Sequence, residues 1–356
     1  MNRYDSHLPR ASYRAIQGAI VLLLLYSNTA IAIGQSSIDR IRRRTGVDTG
    51  KITDMSALAV TISKSGVESD VPVEEIISIR FAGQPSELSS ARSALGRGRL
   101  KEAAKMLGKV ERSQIDREEV VQELEHLQLE VGAKLALSGQ GSLDNAIQLA
   151  NSFIAAHRNS YHVSSAIELL GDLYLANGDR DEARRQYAKL AKAPAPYFQA
   201  RSAILVGKLL QQAGKHAEAL AKFEQALEAS QGSPAAQSQQ LEATLHRAIS
   251  QSANGEVEVA TEAVKQIISQ ADAEDAKLLA TAYNALGDCY LQSDRQKAAR
   301  DAFLHVEVLF NSVADQHAKA LYELSQIWEN LGHRQRARDA KDRLQDEYPT
   351  SRWAQE

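Results

Sequence analysis

The sequence predicts a mainly α-helical protein, an α-solenoid of about seven helix-turn-helix units that follows a small, barrel-like all-β domain. Two observations lead to this prediction. Between residues 86 and 349 a turn residue recurs at intervals of roughly 40 residues, and an alanine stands five positions after each one. Between residues 38 and 81, short runs rich in β-branched residues alternate with glycines, which is typical of strands joined by turns.

The first 32 residues have the three parts of a secretory signal peptide. Arg3, Arg10 and Arg14 precede the apolar run AIQGAIVLLLLY, and Ala30 and Ala32 are small residues at the positions that a signal peptidase reads. The alternative is a retained membrane anchor, although the run is short beside the roughly 20 residues that span a bilayer. The sequence therefore predicts an exported chain that is cleaved after about Ala32.

Composition narrows the class of protein further. A formal net charge of −3 over 356 residues excludes binding to nucleic acid through a strongly basic overall charge. Cys289 is the only cysteine, so the exported chain has no internal disulfide. It lies in LGDCYL, between positions that pack in a helix, which predicts an inert buried thiol rather than a reactive one.

Residues 33–84 are predicted to form the β domain. ALAVTIS alternates with period two, and turns are expected at Gly46, Gly50 and Gly66, which gives about four or five strands. GVDTGKIT lacks the spacing of a phosphate-binding loop and is interpreted as a hairpin turn. The closing VPVEEIISIRF resembles the last turn and strand of an SH3-like or Sm-like barrel. The proline of AGQPSEL then marks the boundary with the first helix.

A basic run, RIRRR, lies at the start of this domain. It contributes a basic patch of Arg40, Arg42, Arg43 and Arg44. Sm-like barrels often bind RNA, but base stacking needs aromatic side chains, and Phe81 is the only phenylalanine, tyrosine or tryptophan within residues 33–84. We therefore interpret the patch as a solvated edge that contacts anionic lipid or an acidic partner, and nucleic acid is disfavoured.

The repeat is defined by positions that recur in phase. The turn residues are Gly98, Gly141, Gly178, Gly214, Gly255, Asp294 and Gly332. The alanines five positions later are Ala103, Ala146, Ala183, Ala219, Ala260, Ala299 and Ala337. Seven positions before each turn stand Ala91, Lys134, Gly171, Gly207, Ala248, Gly287 and Ser325, which are small except for Lys134. Small residues on both helices predict that the two helices of a unit pack closely.

Four positions after each alanine, a large side chain is expected to fill the gap to the next unit. The residues there are Leu107, Ala150, Tyr187, Phe223, Val264, Phe303 and Lys341. Lys341 is polar, as expected where an array ends and its outer face is wet. Extra length near residues 111–120 and 229–240 predicts longer helices or loops there.

LGDLY with ARRQY, and LGDCY with ARDAF, resemble the tetratricopeptide repeat, whose pattern is L-G-x2-Y, then A-x3-F, then P. The resemblance covers roughly residues 86–349, and the units around Gly98, Gly141 and Gly255 are degenerate. The long spacings and the closing LQDEYPTSRWAQE are similar to bacterial envelope members, including the Tol-associated and outer-membrane-assembly repeat proteins. The resemblance thus implies a tetratricopeptide-like solenoid over residues 85–356.

The sequence shows no catalytic motif, so the predicted protein is not an enzyme and needs no cofactor. The nine histidines include no HExxH or HxH pair, and His157 and His162 are five positions apart across an expected helix end. There is no G-x-S-x-G motif and no glycine-rich nucleotide loop. No metal site is predicted.

The resemblance implies a function in binding. In tetratricopeptide proteins the first helices line a concave groove, and side chains three positions before and one after the small residue face it. This gives a predicted partner-binding groove of Glu168, Asp172, Ile204, Lys208, Leu245, Ile249, Asn284, Asp288, Tyr322 and Gln326. Their mixed character implies a protein or peptide partner with both apolar and charged groups.

The predicted function is therefore a scaffold or adaptor in the periplasm or cell envelope, acting in envelope assembly or organisation. Two alternatives stay open. One is a binder of nucleic acid or anionic lipid through the basic β domain, in which case the membrane surface is a partner. The other is a regulatory subunit of an envelope enzyme.

Overall fold

A computed structural model describes residues 38–349 and 351–355. The predicted signal peptide lies in residues 1–37, outside the described residues. Within the described ranges, no helix has both the length and the hydrophobicity needed to cross a bilayer.

Five antiparallel strands form the amino-terminal sheet. They are β1 (Asp39–Arg43), β2 (Gly46–Met55), β3 (Ala59–Lys64), β4 (Val67–Pro72) and β5 (Ile76–Arg80). Their order is β4-β3-β2-β1-β5, because a 3-10 turn at Val73–Glu75 returns the chain from β4 to pair with β1. The prediction of a small β domain with four or five strands is confirmed, and β4 and β5 are its two edges.

The interpretation of GVDTGKIT as a hairpin turn is wrong. Its residues lie inside β2, and the turn falls just before them, at positions 44–45. Gly50 is therefore not a turn residue but pairs with Asp39 of β1. An added Cβ there would collide with the main-chain oxygen of Ser63, so the close approach of β3 requires glycine at this position.

The buried face of the sheet shares a hydrophobic core with the first helices. Ile41 and Ile79 belong to the same cluster as Phe81, Leu88 and Leu124. A polar contact joins the same elements. The carboxylate of Asp39, 1% exposed, accepts hydrogen bonds from the amides of Ile52 (2.8 Å) and Ala82 (2.6 Å) and from Nη1 of Arg117 (2.7 Å).

Fourteen helices in the described part of the chain form seven consecutive pairs. The pairs are α1 (Ser86–Gly96) with α2 (Leu100–Leu107), α3 (Glu118–Leu137) with α4 (Leu143–Ala156), α5 (Val163–Ala176) with α6 (Arg180–Leu190), α7 (Pro196–Gln212) with α8 (His216–Ser230), α9 (Gln237–Ala253) with α10 (Val257–Gln270), α11 (Ala276–Gln292) with α12 (Gln296–Leu309), and α13 (Ala314–Asn330) with α14 (Arg334–Glu347). A short helix, α15 (Arg352–Gln355), follows and packs on the last pair. The predicted solenoid is confirmed.

The extra length predicted between units contains short 3-10 turns. One, at Arg112–Gln114, precedes α3, and the other, at Pro234–Ala236, leads directly into α9. In α3 the extra length also extends the helix itself, to 20 residues.

The turn of each pair is made by one residue in the left-handed region of backbone conformation. Gly178 has φ 85° and Asp294 has φ 56°, as the aligned turn positions require. In the second pair, however, that residue is Gly139 (φ 73°), not Gly141. The amide of Gly139 donates to the carbonyl of Ala136, as the amide of Gly178 does to that of Leu175.

This shift removes the one exception in the repeat. The second turn is two residues longer than the others. The predicted alignment of the repeat was therefore correct for Ala146 on the second helix, but it was shifted by two residues on the first helix. Counting seven positions back from Gly139 gives Gly132, which is small, in place of Lys134. All seven alanines of the second helices are buried, as expected: Ala103, Ala146, Ala183, Ala219, Ala260, Ala299 and Ala337.

The large side chain of the second helix packs against the small residue of its own pair as well as towards the next unit, as predicted: Phe223 stacks on His246 of the next pair. A Cβ added to Gly207 would lie 2.6 Å from Cε1 of Phe223, and one added to Gly287 would lie 2.5 Å from Cζ of Phe303. A Cβ added to Gly171 would likewise overlap the ring of Tyr187. Each glycine leaves the space that the aromatic ring of the partner helix fills.

Replacing Gly207 by alanine should lower the free energy of unfolding by about 1–3 kcal/mol, because the new methyl group overlaps the ring of Phe223. Urea unfolding followed by circular dichroism measures the change. Gly96→Ala is the matched control, since nothing lies within 4 Å of a Cβ at that helical position. It should be neutral or stabilise by up to about 1 kcal/mol. Equal losses in both variants would contradict the proposed role of the glycine.

Candidate binding groove

The first helices of neighbouring pairs contact each other and form one continuous surface. Two adjoining clefts lie on it, one of about 530 Å³ and one of about 360 Å³. The larger cleft runs between β5 and helices α3, α5 and α7, and the smaller one runs over α7, α9 and α11. Both are lined by Arg44, Glu168, Tyr197 and Arg201, and together they are called the groove below.

Strand alternation separates the four arginines of the predicted basic patch. Arg44, in the β1–β2 turn, is exposed and lines both clefts of the groove. Arg43 is the last residue of β1, and its guanidinium contacts Asp48 (2.7 Å) and Glu75 (3.0 Å). Arg40 and Arg42 are exposed on the outer face of the sheet.

Charged side chains connect three successive first helices along the floor of the groove. Arg201 of α7 pairs with Glu168 of α5 and with Glu242 of α9 (2.7 Å), and Lys208 also reaches Glu242 (3.1 Å). Burial alone would raise the pKa of Glu242, but Arg201 and Lys208 hold it well below its usual range. Burial alone would lower the pKa of Arg201, but Glu242 and Glu168 raise it. Both groups are therefore charged at neutral pH.

A second polar cluster lies at the sheet end of the groove. The carboxylate of Glu123, 2% exposed, accepts hydrogen bonds from Arg92, from the hydroxyl of Tyr161 (2.7 Å) and from Nε2 of His162 (2.9 Å). Burial alone would raise the pKa of Glu123, but the charges of His162 and Arg92 and these hydrogen bonds lower it well below the usual range.

His126 is the unusual member of this cluster. Its ring stacks on that of His162 with centroids 3.6 Å apart, and it lines the larger cleft. Neither ring nitrogen has a hydrogen-bond partner among the described residues, although the side chain is buried. Burial, and then the proximity of His162, lower its pKa well below the usual range, so the ring is neutral.

The predicted groove residues have several different environments. Glu168, Lys208 and Asp288 take part in ion pairs between first helices, and Asp172 accepts a hydrogen bond from Tyr187. Ile204, Leu245 and Asn284 are buried between helices, and of these three Leu245 reaches the wall of the smaller cleft. Ile249 and Tyr322 are half-buried and Gln326 is exposed. The set remains a prediction, and Glu168, Asp172, Lys208 and Leu245 are its members that line the two clefts of the groove.

Nine of the other lining residues follow a simple register that the resemblance did not supply. Six positions before the small residue of α3, α5, α7, α9 and α11 lie His126, Ser165, Arg201, Glu242 and Thr281, and ten positions before that of the last four helices lie Tyr161, Tyr197, Ser238 and Lys277. All of them line the groove. They continue the predicted face by further helical turns towards the amino end of each first helix. Counting back along that face would have found them.

Two residues of chemical interest have structural partners. His157 and His162 pair with different carboxylates, those of Glu125 (2.6 Å) and Glu123. Cys289 is buried in α11, 3.4 Å from the hydroxyl of Ser252. The described residues include no group of three or more histidine, cysteine, aspartate or glutamate side chains that could hold a metal ion.

The buried His246 predicts a pH-dependent stability. It stacks on Phe223 and its Nδ1 lies 2.9 Å from Oε1 of Gln211. Burial, and then the charge of Lys208, lower its pKa to about 3. Because the unfolded chain takes up the proton first, stability should fall as pH drops below about 6.5, by about 1.4 kcal/mol per pH unit from this residue.

Urea unfolding at several values between about pH 6.5 and pH 5 tests this, a window in which the low-pKa carboxylates Glu123 and Glu242 do not yet titrate. His246→Gln should reduce the slope, and His126 should account for part of what remains, since its pKa is also lowered. His305→Gln, at an exposed position, is the control and should keep the full slope. An unchanged slope in His246→Gln would be the contrary result.

Comparisons with known proteins identify the repeat. Residues 168–234 and residues 319–351 each match a sequence model of the tetratricopeptide repeat. A comparison with curated proteins finds no match. The crystal structure of a tetratricopeptide repeat protein from Parabacteroides merdae ATCC 43184 is similar, with a TM-score of 0.50 and 18% identity over 73% of this chain and 91% of that one.

Two complexes are also similar in fold. A Rap protein complexed with competence and sporulation factor has a TM-score of 0.52 and 14% identity, over 73% of this chain and 75% of that one. NprR in complex with its cognate peptide NprX has a TM-score of 0.52 and 14% identity, over 76% and 80%. The chain therefore carries tetratricopeptide repeats at residues 168–234 and 319–351, within a solenoid of that type built from the seven described helix pairs.

Proposed function

We propose that the protein is a non-enzymatic scaffold or adaptor that binds an extended segment of a partner protein in the groove. The observation that supports this is the pair of adjoining clefts, which form one open path along five first helices and the β1–β2 turn. A long open path suits an extended chain better than a compact small molecule, which prefers an enclosed pocket. The similar fold of NprR, whose structure holds its cognate peptide, is consistent with this use.

The charges of the groove indicate what the segment carries. Arg92, Lys134, Arg201 and Lys208 are each paired with a carboxylate of the groove. Arg44 and Lys277 are exposed, line the smaller cleft and have no ion pair among the described residues. They approach the cleft from the β1–β2 turn and from α11. We propose that they bind an acidic group of the partner segment, while Tyr197 supplies apolar contact.

Selection from a displayed peptide library on the chain from Ile33 onwards should yield peptides that share an acidic residue. Calorimetry then measures the affinity of one selected peptide. Arg44→Ala should weaken it about tenfold, because a hydrogen bond to a charged group is worth about 1.5–3 kcal/mol. Arg42→Ala is the matched control, since Arg42 belongs to the same run but lies on the outer face of the sheet. Selected peptides that bind both variants as tightly as the parent would overturn the proposal.

The proposed location is the cell envelope. It is supported by the arginines and the apolar run of the first 32 residues, and by the small residues before position 33. Mass spectrometry of the protein from its native membrane-enclosed compartment should find Ile33 at the amino terminus. A chain that retains Met1 and the apolar run would instead support the membrane-anchor alternative.

A further inference from the structure

The outer face of the sheet has a concentration of positive charge that the fold does not use. The register of the strands places Arg40 of β1 directly opposite Arg80 of β5. Arg42 lies two residues from Arg40 on the same face, and Lys51 extends the face on β2. All four side chains are exposed. These four cations are called the basic face below.

No carboxylate among the described residues neutralises the charge of the basic face. None of its four cations has an ion pair or a side-chain hydrogen bond among the described residues, in contrast to Arg43, which contacts Asp48 and Glu75. Like charges directly opposite each other on neighbouring strands are destabilising. Arg40 and Arg80 thus weaken the sheet slightly, which indicates an anionic partner outside the described chain.

The shape and the apolar content of the basic face indicate which class of anionic partner it binds. The face spans three strands, or roughly 10 Å at the usual strand spacing. Val47, 60% exposed, lies directly opposite Arg42 and adds an apolar side chain among the cations. Phe81 is buried, so it offers no stacking surface for the bases of a single-stranded nucleic acid. Cations around an exposed aliphatic side chain are typical of proteins that lie on anionic lipid.

The other half of the same face has the opposite charge. Glu68 and Asp70 of β4 are exposed, and Asp70 accepts a hydrogen bond from Thr61 of β3 (2.6 Å). They are about three strand spacings from β1 and two from Lys51 of β2, or roughly 14 and 10 Å, and both distances exceed the Debye length of about 8 Å at physiological salt. Asp54, opposite Thr61 near the far end of β2, belongs to this acidic half. Contact with an anionic surface is therefore limited to the β2–β1–β5 half of the sheet.

We propose that the basic face binds the surface of a membrane that contains anionic phospholipid. The buried face of the sheet packs on α1 and α3, so the basic face points away from that core and from the helices that form the groove. A partner segment in the groove and a membrane on the basic face use different side chains. This inference does not depend on the proposed peptide function.

Sedimentation with vesicles tests the proposal. The chain from Ile33 onwards is mixed with vesicles of phosphatidylcholine alone or with about one third phosphatidylglycerol, at low salt and at about 0.5 M NaCl. We expect binding to the anionic vesicles at low salt, and loss of binding at high salt or without the anionic lipid.

Arg40→Gln with Arg80→Gln should weaken vesicle binding at least tenfold, since each basic residue at an anionic surface contributes about fivefold, or about 1 kcal/mol. Arg97→Gln with Lys101→Gln removes the same charge from exposed positions in the α1–α2 turn and in α2, and is the matched control. A melting curve of the first variant that is unchanged or slightly higher shows that its fold is intact.

Three outcomes would overturn the proposal. They are equal binding to both vesicle types, equal losses in the two double variants, and binding to a single-stranded RNA oligonucleotide without binding to vesicles. Arg44→Ala should leave vesicle binding unchanged, so failure of the peptide proposal and failure of this one are distinguishable.

Discussion

The contact between a glycine on one helix and an aromatic ring on the next determines most of this architecture. Within a pair, the ring of Tyr187, Phe223 or Phe303 occupies the space above a glycine. Because any side chain on that glycine would overlap the ring, the two helices have one way to pack closely. In the pair around Ala248 the small residue is an alanine, and a smaller residue, Val264, takes the corresponding place. The glycine–ring contact thus belongs to three of the seven described pairs, those of Gly171, Gly207 and Gly287.

Polar contacts between first helices add to the apolar contacts that join neighbouring pairs. Arg201 joins three first helices through Glu168 and Glu242, and Asp288 pairs with Lys319 of the next first helix. Asn284 donates hydrogen bonds to the main chain and side chain of Gln316 (2.9 Å each). Such contacts fix the stacking of neighbouring pairs, but they also occupy side chains that a partner would otherwise bind. The groove is accordingly a surface whose charges are mostly neutralised, with Arg44 and Lys277 as exceptions among its described cations.

Much of the fold could be predicted from the sequence because its repeats place small residues at fixed distances. The seven pairs and the buried alanines followed from that spacing. The turn of the second pair did not, because two glycines lie two residues apart and only backbone conformation shows that Gly139 takes the left-handed position. The environment of each arginine in RIRRR could not be predicted either. Which arginine faces the groove, an ion pair or solvent depends on the strand register and on where the β1–β2 turn meets α7 and α11.

The site was harder to predict than the fold, for a related reason. The resemblance supplied two positions per first helix, and three of the side chains found there, those of Ile204, Leu245 and Asn284, are buried. Those that line the clefts lie up to ten positions earlier, because the sheet approaches the amino ends of these helices. A sequence pattern shared by many solenoids cannot predict which residues line a cleft that is formed together with a neighbouring domain.

The shared core of the sheet and the first helices has a practical consequence for anyone who divides this chain. A fragment that starts at Pro85 would leave Leu88 of α1 and Leu124 of α3 without the isoleucines that cover them, and Arg117 without its carboxylate. The isolated sheet would lose the same cover from its other side. The chain changes from strand to helix at a clear boundary, but the two parts share one core and should not be separated there. Fragments cut at this boundary would expose apolar surface and would be prone to aggregate.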